Sequence, residues 1–145
     1  LQTLEDGAFD FILMNFANPD IIAHTGNFDA AVQAINTIDD CIKDLYEYVT
    51  RSNHIMLITA DHGNIEQMTY PLTGLPETKH NVSPVPIYLV ANEYMREKSD
   101  FEVQTYEKET LGILADVAPT ILALMKIPQP KEMTGKNLLE KLSYR

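Results

Sequence analysis

Cysteine is scarce in this sequence and long apolar runs are absent. The single cysteine, Cys41, excludes a disulfide within the chain and suits a reducing compartment, so we expect a cytoplasmic location. No apolar run approaches the roughly 20 residues that cross a bilayer. No basic segment followed by an apolar stretch indicates a signal peptide. We therefore expect no membrane partner.

Basic residues are also few, with 11 Lys and Arg against 21 Asp and Glu, and the net charge is -10. Nucleic-acid binding depends on neutralising phosphates with Lys and Arg, so this balance argues against a nucleic-acid partner. An acidic protein also repels anionic substrates unless metal ions or a basic partner surface reverse the local charge. The chain begins at Leu1 instead of methionine, which we interpret as a fragment or a processed piece.

Short apolar runs alternate with segments of helical periodicity. The runs predicted to be buried strands are Ala8–Met14, His54–Ala60 and Val85–Val90. Helices are expected to begin at Asn18, with Asn18 as cap and Pro19 in the first turn, and near Asn27 or Asp29. The second of these helices has an apolar stripe, and Cys41 beside it is predicted to be buried; the stripe comprises Val32, Ile35, Ile38, Ile42, Leu45 and Val49.

The last third of the chain predicts further helices. Residues 92–109 are polar and are expected to be mostly loop. A helix is predicted over Leu114–Met125 with Asp116 as its cap, and a short helix over Gly135–Leu142. Strands that alternate with helices indicate an α/β fold. We find no linker, so residues 1–145 are treated as one domain.

Histidines and carboxylates occur in polar segments next to the predicted strands. Asp20 and His24 are four residues apart, so a helix places both on one face. Asp61 and His62 follow a strand, and Gly63 is expected to let the chain turn so that both side chains point the same way. His80 lies in a loop before the third strand. Taken separately, Asp20 with His24 also fits a surface pair, Asp61 with His62 fits a polar turn, and His80 fits a solvated loop histidine. His54 fits no cluster and is interpreted as a surface or strand-end residue.

Together, Asp20, His24, Asp61, His62 and His80 form a mixed carboxylate and imidazole set. Such a set suits Mn²⁺, Zn²⁺ or Co²⁺. Five ligands exceed what one catalytic Zn²⁺ usually takes from a protein, so two ions are plausible. Paired metal ions are a recurrent device in phosphoryl transfer, and they would supply positive charge to this acidic chain.

Several segments, in order, resemble signatures of the cofactor-independent phosphoglycerate mutases, and the resemblance extends over nearly the whole chain. They are Asn15–Asp20 with His24-Thr25-Gly26, Ala60–Asn64, Thr78–His80 leading into Pro84–Pro86, Leu111–Thr120, and Met133–Lys136. The resemblance implies an α/β fold with an alkaline-phosphatase-like sheet flanked by helices. Residues 1–145 would be the C-terminal portion of that metal-binding domain.

The resemblance also implies the site and the reaction. Asp20, His24 and His80 would hold one Mn²⁺, and Asp61 and His62 would help to hold a second; Zn²⁺, Co²⁺ or Mg²⁺ could replace it. Family members are isomerases of glycolysis and gluconeogenesis that interconvert 3-phosphoglycerate and 2-phosphoglycerate through a phosphoserine.

No serine of this chain lies in a matching motif, so we expect no catalytic nucleophile here and no activity from the isolated chain. The family's nucleophilic serine comes from an N-terminal part. Without that part an exposed sheet edge should favour self-association. Alternatives are a related metal-dependent phosphohydrolase, a phosphopentomutase, or a non-catalytic metal-binding module.

Overall fold

The computed structural model describes residues 1–144, which form two compact units. The first unit comprises Leu1–Ser52 and His62–Ser83. The second comprises Asn53–Asp61 and the chain from Pro84 onward. Among the described residues, no helix is both long enough and apolar enough to cross a membrane.

The first unit is built on three helices and a long loop. They are α1 (Gln2–Glu5), α2 (Asn18–Ala23) and α3 (Phe28–Arg51). Asn27 caps α3, since its Oδ1 accepts the N–H of Ala30 at 3.0 Å. This confirms one of the two predicted caps. Helix α2 has Ala17 at its N-cap, so Asn18 lies inside the helix and does not cap it as predicted.

The apolar residues that α3 buries lie near its two ends. Ala31, Leu45, Tyr48 and Val49 are buried, and the Tyr48 hydroxyl donates to the carbonyl of Leu4 at 2.8 Å. Between these ends the predicted stripe is partly uncovered, with Val32 44% and Ile35 42% exposed. Cys41 is also exposed, so the prediction that it is buried was wrong.

The predicted strand Ala8–Met14 is absent from the structure. This segment has no regular structure, and Phe9 and Leu13 are 66% and 82% exposed. A strand needs a neighbour to receive its backbone hydrogen bonds. No described strand pairs with this segment, so its composition alone does not make it one.

The second unit contains the two other predicted strands, in shortened form. β1 (Met56–Thr59) and β2 (Ile87–Val90) pair antiparallel, with Met56 opposite Val90 and Thr59 opposite Ile87. Pro84 and Pro86 precede β2 and stay outside its ladder, as the missing N–H of proline requires. The predicted strands are therefore confirmed in position and are each four residues long.

The helices of the second unit follow β2. A 3₁₀ turn covers Asn92–Tyr94, and the later elements are α4 (Asp100–Glu107), a 3₁₀ turn at Leu114–Asp116, α5 (Val117–Leu124) and α6 (Leu139–Ser143). Helix α4 lies in the region predicted to be mostly loop. It is stabilised at its start by a capping box, in which Ser99 and Glu102 each accept the other's main-chain N–H.

Asp116 lies at the N-cap position of α5 as predicted, but its side chain makes no capping hydrogen bond to that helix. Its Oδ2 accepts the N–H of Ile113 at 2.9 Å and its Oδ1 accepts the N–H of Lys136 at 2.7 Å. The buried Thr120 hydroxyl donates to the Asp116 carbonyl at 2.7 Å and accepts the N–H of Leu138 at 2.9 Å. These bonds connect the start of α5 to the segment that leads into α6.

Candidate metal centre

Four side chains of the first unit meet at one carboxylate oxygen. Asp20 Oδ1 lies 3.3 Å from His24 Nε2, 3.0 Å from His80 Nε2 and 4.0 Å from His62 Nε2. One ligand atom from each of Asp20, His62 and His80 lies within 4.8 Å of the others. The sequence spans 60 residues between Asp20 and His80, and the fold brings the two into contact.

Helix α2 supplies two of these residues. Asp20 is in its first turn and His24 is its C-cap, four residues later. Positions i and i+4 lie on one face of a helix, so the carboxylate and the imidazole point the same way. The predicted pairing of these two residues is thereby observed.

The long loop supplies the other two. Gly63 and Asn81 form an antiparallel bridge, in which the N–H of Asn81 donates to the carbonyl of Gly63 at 2.8 Å. This bridge brings His62 and His80 together, and their rings stack with centroids 3.6 Å apart and planes inclined by 20°. Gly63 was expected to permit a sharp turn. Its φ lies outside the left-handed region, and its function is to leave room, because a Cβ there would lie 2.5 Å from Glu66 Oε1.

The hydrogen bonds of His24 fix the orientation of its ring. His24 Nδ1 lies 2.6 Å from the carbonyl oxygen of Thr78, which can only accept, so Nδ1 carries a proton. In the neutral ring, Nε2 then has a lone pair. That lone pair faces Asp20 Oδ1, an acceptor, and lies 3.1 Å from His80 Nε2. The His24 lone pair and the Asp20 carboxylate are both acceptors, and positive charge between them, from a proton or from a metal ion, would stabilise this arrangement.

The side chain of Asn64 is hydrogen-bonded to the Asp20 carboxylate. Its Nδ2–H donates to Asp20 Oδ1 at 2.7 Å. This hydrogen bond lowers the pKa of Asp20 against the opposing effect of burial, and the neighbouring His24, His80 and His62 lower the pKa further. Asp20 is therefore held in the anionic form, which is the form that binds cations.

Glu66 supports the loop that carries His62 and Asn64. Its Oε2 accepts the main-chain N–H of Asn64 at 2.7 Å. Burial raises the pKa of Glu66, but polar groups of Asn81, Ser83 and the Asn64 main chain lower it more, so Glu66 is also an anion. Sequence reasoning missed Asn64 and Glu66 as functional candidates. Their position within four residues of His62 was the available signal.

Asp20, His24 and His80 come together as expected, and His62 joins them. Asp61 is exposed and follows β1. The remaining histidine, His54, is exposed just before β1, which agrees with its interpretation as a strand-end residue.

Comparison of the sequence with known proteins finds a matching family and similar relatives. The sequence pattern described as "Metalloenzyme superfamily" matches residues 1–129. A 2,3-bisphosphoglycerate-independent phosphoglycerate mutase of Clostridioides difficile is 42% identical over 141 residues, which are 97% of this chain and 26% of that protein. The corresponding mutase of Cellvibrio japonicus is 44% identical over 139 residues, 96% of this chain and 25% of that protein.

A solved structure of a phosphoglycerate mutase has a similar fold. A phosphoglycerate mutase of Leishmania mexicana, crystallised at low cobalt concentration, matches with a TM-score of 0.75 and 25% identity. The match covers 93% of this chain and 26% of that protein, so the chain spans about a quarter of the length of the relatives that it matches. The predicted α/β class, a partial alkaline-phosphatase-like domain, is confirmed. Since the superfamily pattern matches residues 1–129, the chain belongs to the Metalloenzyme superfamily.

Proposed function

We propose that this chain carries metal ligands of a cofactor-independent phosphoglycerate mutase, a cytoplasmic isomerase of glycolysis that interconverts 3-phosphoglycerate and 2-phosphoglycerate. The observation that carries the proposal is the meeting of three imidazole Nε2 atoms at Asp20 Oδ1, within 4.0 Å or less. The names of the relatives favour a mutase over a phosphohydrolase or a phosphopentomutase.

The donor set fits a divalent transition metal. One carboxylate oxygen and imidazole nitrogens suit Mn²⁺, Co²⁺ or Zn²⁺, and we propose Mn²⁺. Asp20, His24 and His80 would hold one ion, and Asp61 with His62 would help to hold a second. A pair of such ions supplies positive charge that stabilises a transferring phosphoryl group and lowers the pKa of a nucleophile.

The chain's own residues prepare this site. The Thr78 carbonyl fixes the tautomer of His24, so that Nε2 is available as a ligand. The Asn64 hydrogen bond keeps Asp20 anionic. The chain has a net charge of -10, so an anionic phosphoglycerate would be attracted only where cations reverse the sign.

Cobalt binding tests the metal site directly. Titration of the chain with Co²⁺, followed by visible absorption and calorimetry, should show saturable binding that a chelator reverses. Asp20→Asn should weaken binding strongly, since it removes the charge that faces three imidazoles. Asp39→Asn removes an exposed carboxylate of α3 and should leave the affinity unchanged. A wild-type chain that binds no Co²⁺ would contradict the metal site.

The mutase assignment needs a separate test. The chain alone should show no turnover in a coupled mutase assay, because no serine lies in a matching motif. A chimaera of the Clostridioides difficile mutase, with its matching quarter replaced by this chain, should turn over phosphoglycerate, and the Asp20→Asn chimaera should not. A folded chimaera that binds cobalt and lacks turnover would refute the mutase assignment while leaving the metal site intact.

A further inference from the structure

Asn64 is a buried polar side chain that contacts Asp20. It is 4% exposed, and its Nδ2–H donates to Asp20 Oδ1 at 2.7 Å. Its own Oδ1 is buried without a hydrogen-bond partner among the described residues. Leaving a buried acceptor unsatisfied costs about 1–3 kcal/mol. The Asn64 amide therefore stays buried against Asp20 despite the cost at its oxygen.

We propose that Asn64 is the positioning residue that aims the Asp20 carboxylate at the three imidazoles. This inference rests on the proposed metal site and concerns how that site is preorganised. Asn64 would act through Asp20 and would not itself bind the ion.

Asp20 needs such a partner because its own short helix restrains the side chain little. Its side chain is 38% exposed and projects from the six-residue helix α2. A carboxylate has two oxygens with about four lone-pair directions, and rotation would exchange them. The Asn64 bond occupies one lone pair of Oδ1 and leaves the other lone pair of that oxygen, and those of Oδ2, free for a cation. Groups that orient a ligand in this way typically change metal affinity by about 10- to 100-fold.

Asn64 is itself well fixed, so it can impose an orientation. Its main-chain N–H donates to Glu66 Oε2 at 2.7 Å, and its carbonyl accepts the N–H of Gln67 at 3.1 Å. The preceding residue, Gly63, is bridged to Asn81. The amide is therefore anchored from its backbone on both sides, and its NH₂ end is the only end that can face a carboxylate.

The test uses cobalt as the probe, because its visible spectrum reports coordination geometry as well as occupancy. Asn64→Leu has a similar volume and cannot donate, and Asn64→Ser is a second variant whose hydroxyl is too short to reach Asp20. Thr120→Val is the matched control. It removes a buried hydroxyl of the second unit that accepts the Leu138 N–H at 2.9 Å, and so lowers stability by a comparable mechanism.

We expect Asn64→Leu to weaken Co²⁺ binding by about 10- to 100-fold and to shift the absorption bands, while Thr120→Val leaves both unchanged. Unchanged affinity and spectrum in the Asn64 variants would overturn the inference. Equal weakening by Thr120→Val would also overturn it, because the effect would then be loss of stability. If Asn64→Leu does not fold by circular dichroism, Asn64→Ser decides by the same criteria. Absence of Co²⁺ binding by the wild-type chain would instead refute the proposed function.

Discussion

Replacing Gly63 with alanine should damage both the stability of the loop and the metal site. A Cβ on Gly63 would overlap with Asn81 Oδ1 and would lie 2.5 Å from Glu66 Oε1 and 3.0 Å from Ser83 Cβ. Flexible side chains could move aside cheaply, but these two oxygens belong to anchored groups. Asn81 Oδ1 accepts the N–H of Ser83 at 2.8 Å, and the Glu66 carboxylate accepts the N–H of Asn64 at 2.7 Å.

The size of the effect follows from these contacts. Overpacking by one methyl group typically costs about 1–3 kcal/mol. Displacing Asn81 would also break its hydrogen bond with Ser83, which contributes about 0.5–1.5 kcal/mol. We therefore expect Gly63→Ala to lower the free energy of unfolding by roughly 2–4 kcal/mol. Because the bridge between Gly63 and Asn81 brings His62 and His80 together, Co²⁺ affinity should fall as well.

Gly74→Ala is the control for this prediction. A Cβ on Gly74 would have no atom within 4 Å, but the residue has a φ of +67°, so alanine there would be strained without crowding. That strain costs about 1–2 kcal/mol. Urea denaturation should show destabilisation in both variants, and Co²⁺ titration should show weakened binding only in Gly63→Ala. If Gly63→Ala unfolds at the wild-type urea concentration and binds Co²⁺ normally, the steric reasoning is refuted.

Two other predictions concern the second unit. The hydrogen bonds from the N–H groups of Lys136 and Ile113 lower the pKa of Asp116, so its contribution to stability is present above its unfolded pKa near 3.8 and is lost as the pH falls through the folded value. Asp116→Asn should therefore cost about 1–3 kcal/mol in urea denaturation at pH 7, for one buried N–H left without an acceptor, and less at pH 3. The exposed Asp39→Asn variant is the control. If the loss of unfolding free energy in Asp116→Asn does not become smaller at pH 3, this prediction is wrong. Each strand of the two-stranded sheet has an outer edge without a described partner. We therefore expect the chain to self-associate in sedimentation velocity experiments. A strictly monomeric profile at high concentration would argue against edge pairing.

Local patterns identified the histidines and the carboxylate that meet in the first unit, because each lies in a short motif with its own geometry. The spacing of Asp20 and His24 is a property of one helix turn, and the structure shows that turn in α2. The polar segment after β1 placed His62 in a loop, as found. Spacing could not show that His62 approaches Asp20, because a loop pairing between Gly63 and Asn81 decides that contact.

Two of the errors in the fold share one cause. Ala8–Met14 has the composition of a buried strand, and Cys41 lies beside an apolar stripe, yet both are exposed in the structure. An apolar composition indicates that a segment can be buried, but burial also requires a partner that covers it. Helix α4 shows the opposite case, since its capping box is a local signal between Ser99 and Glu102 that was present in the sequence and was overlooked.

The sequence by itself determined the helix face that carries Asp20 and His24, and it limited the cap of α3 to Asn27 or Asp29, because bonds between near neighbours set these features. The apolar composition also located the two strands that the structure retains, although their pairing is a long-range contact. Tertiary structure alone decided that His62 and His80 stack, that Asn64 reaches Asp20, and that Gly63 must lack a side chain. These facts depend on distances of a few ångströms between segments far apart in the chain. Such distances are set by packing and hydrogen bonding of the whole unit, and no local pattern encodes them.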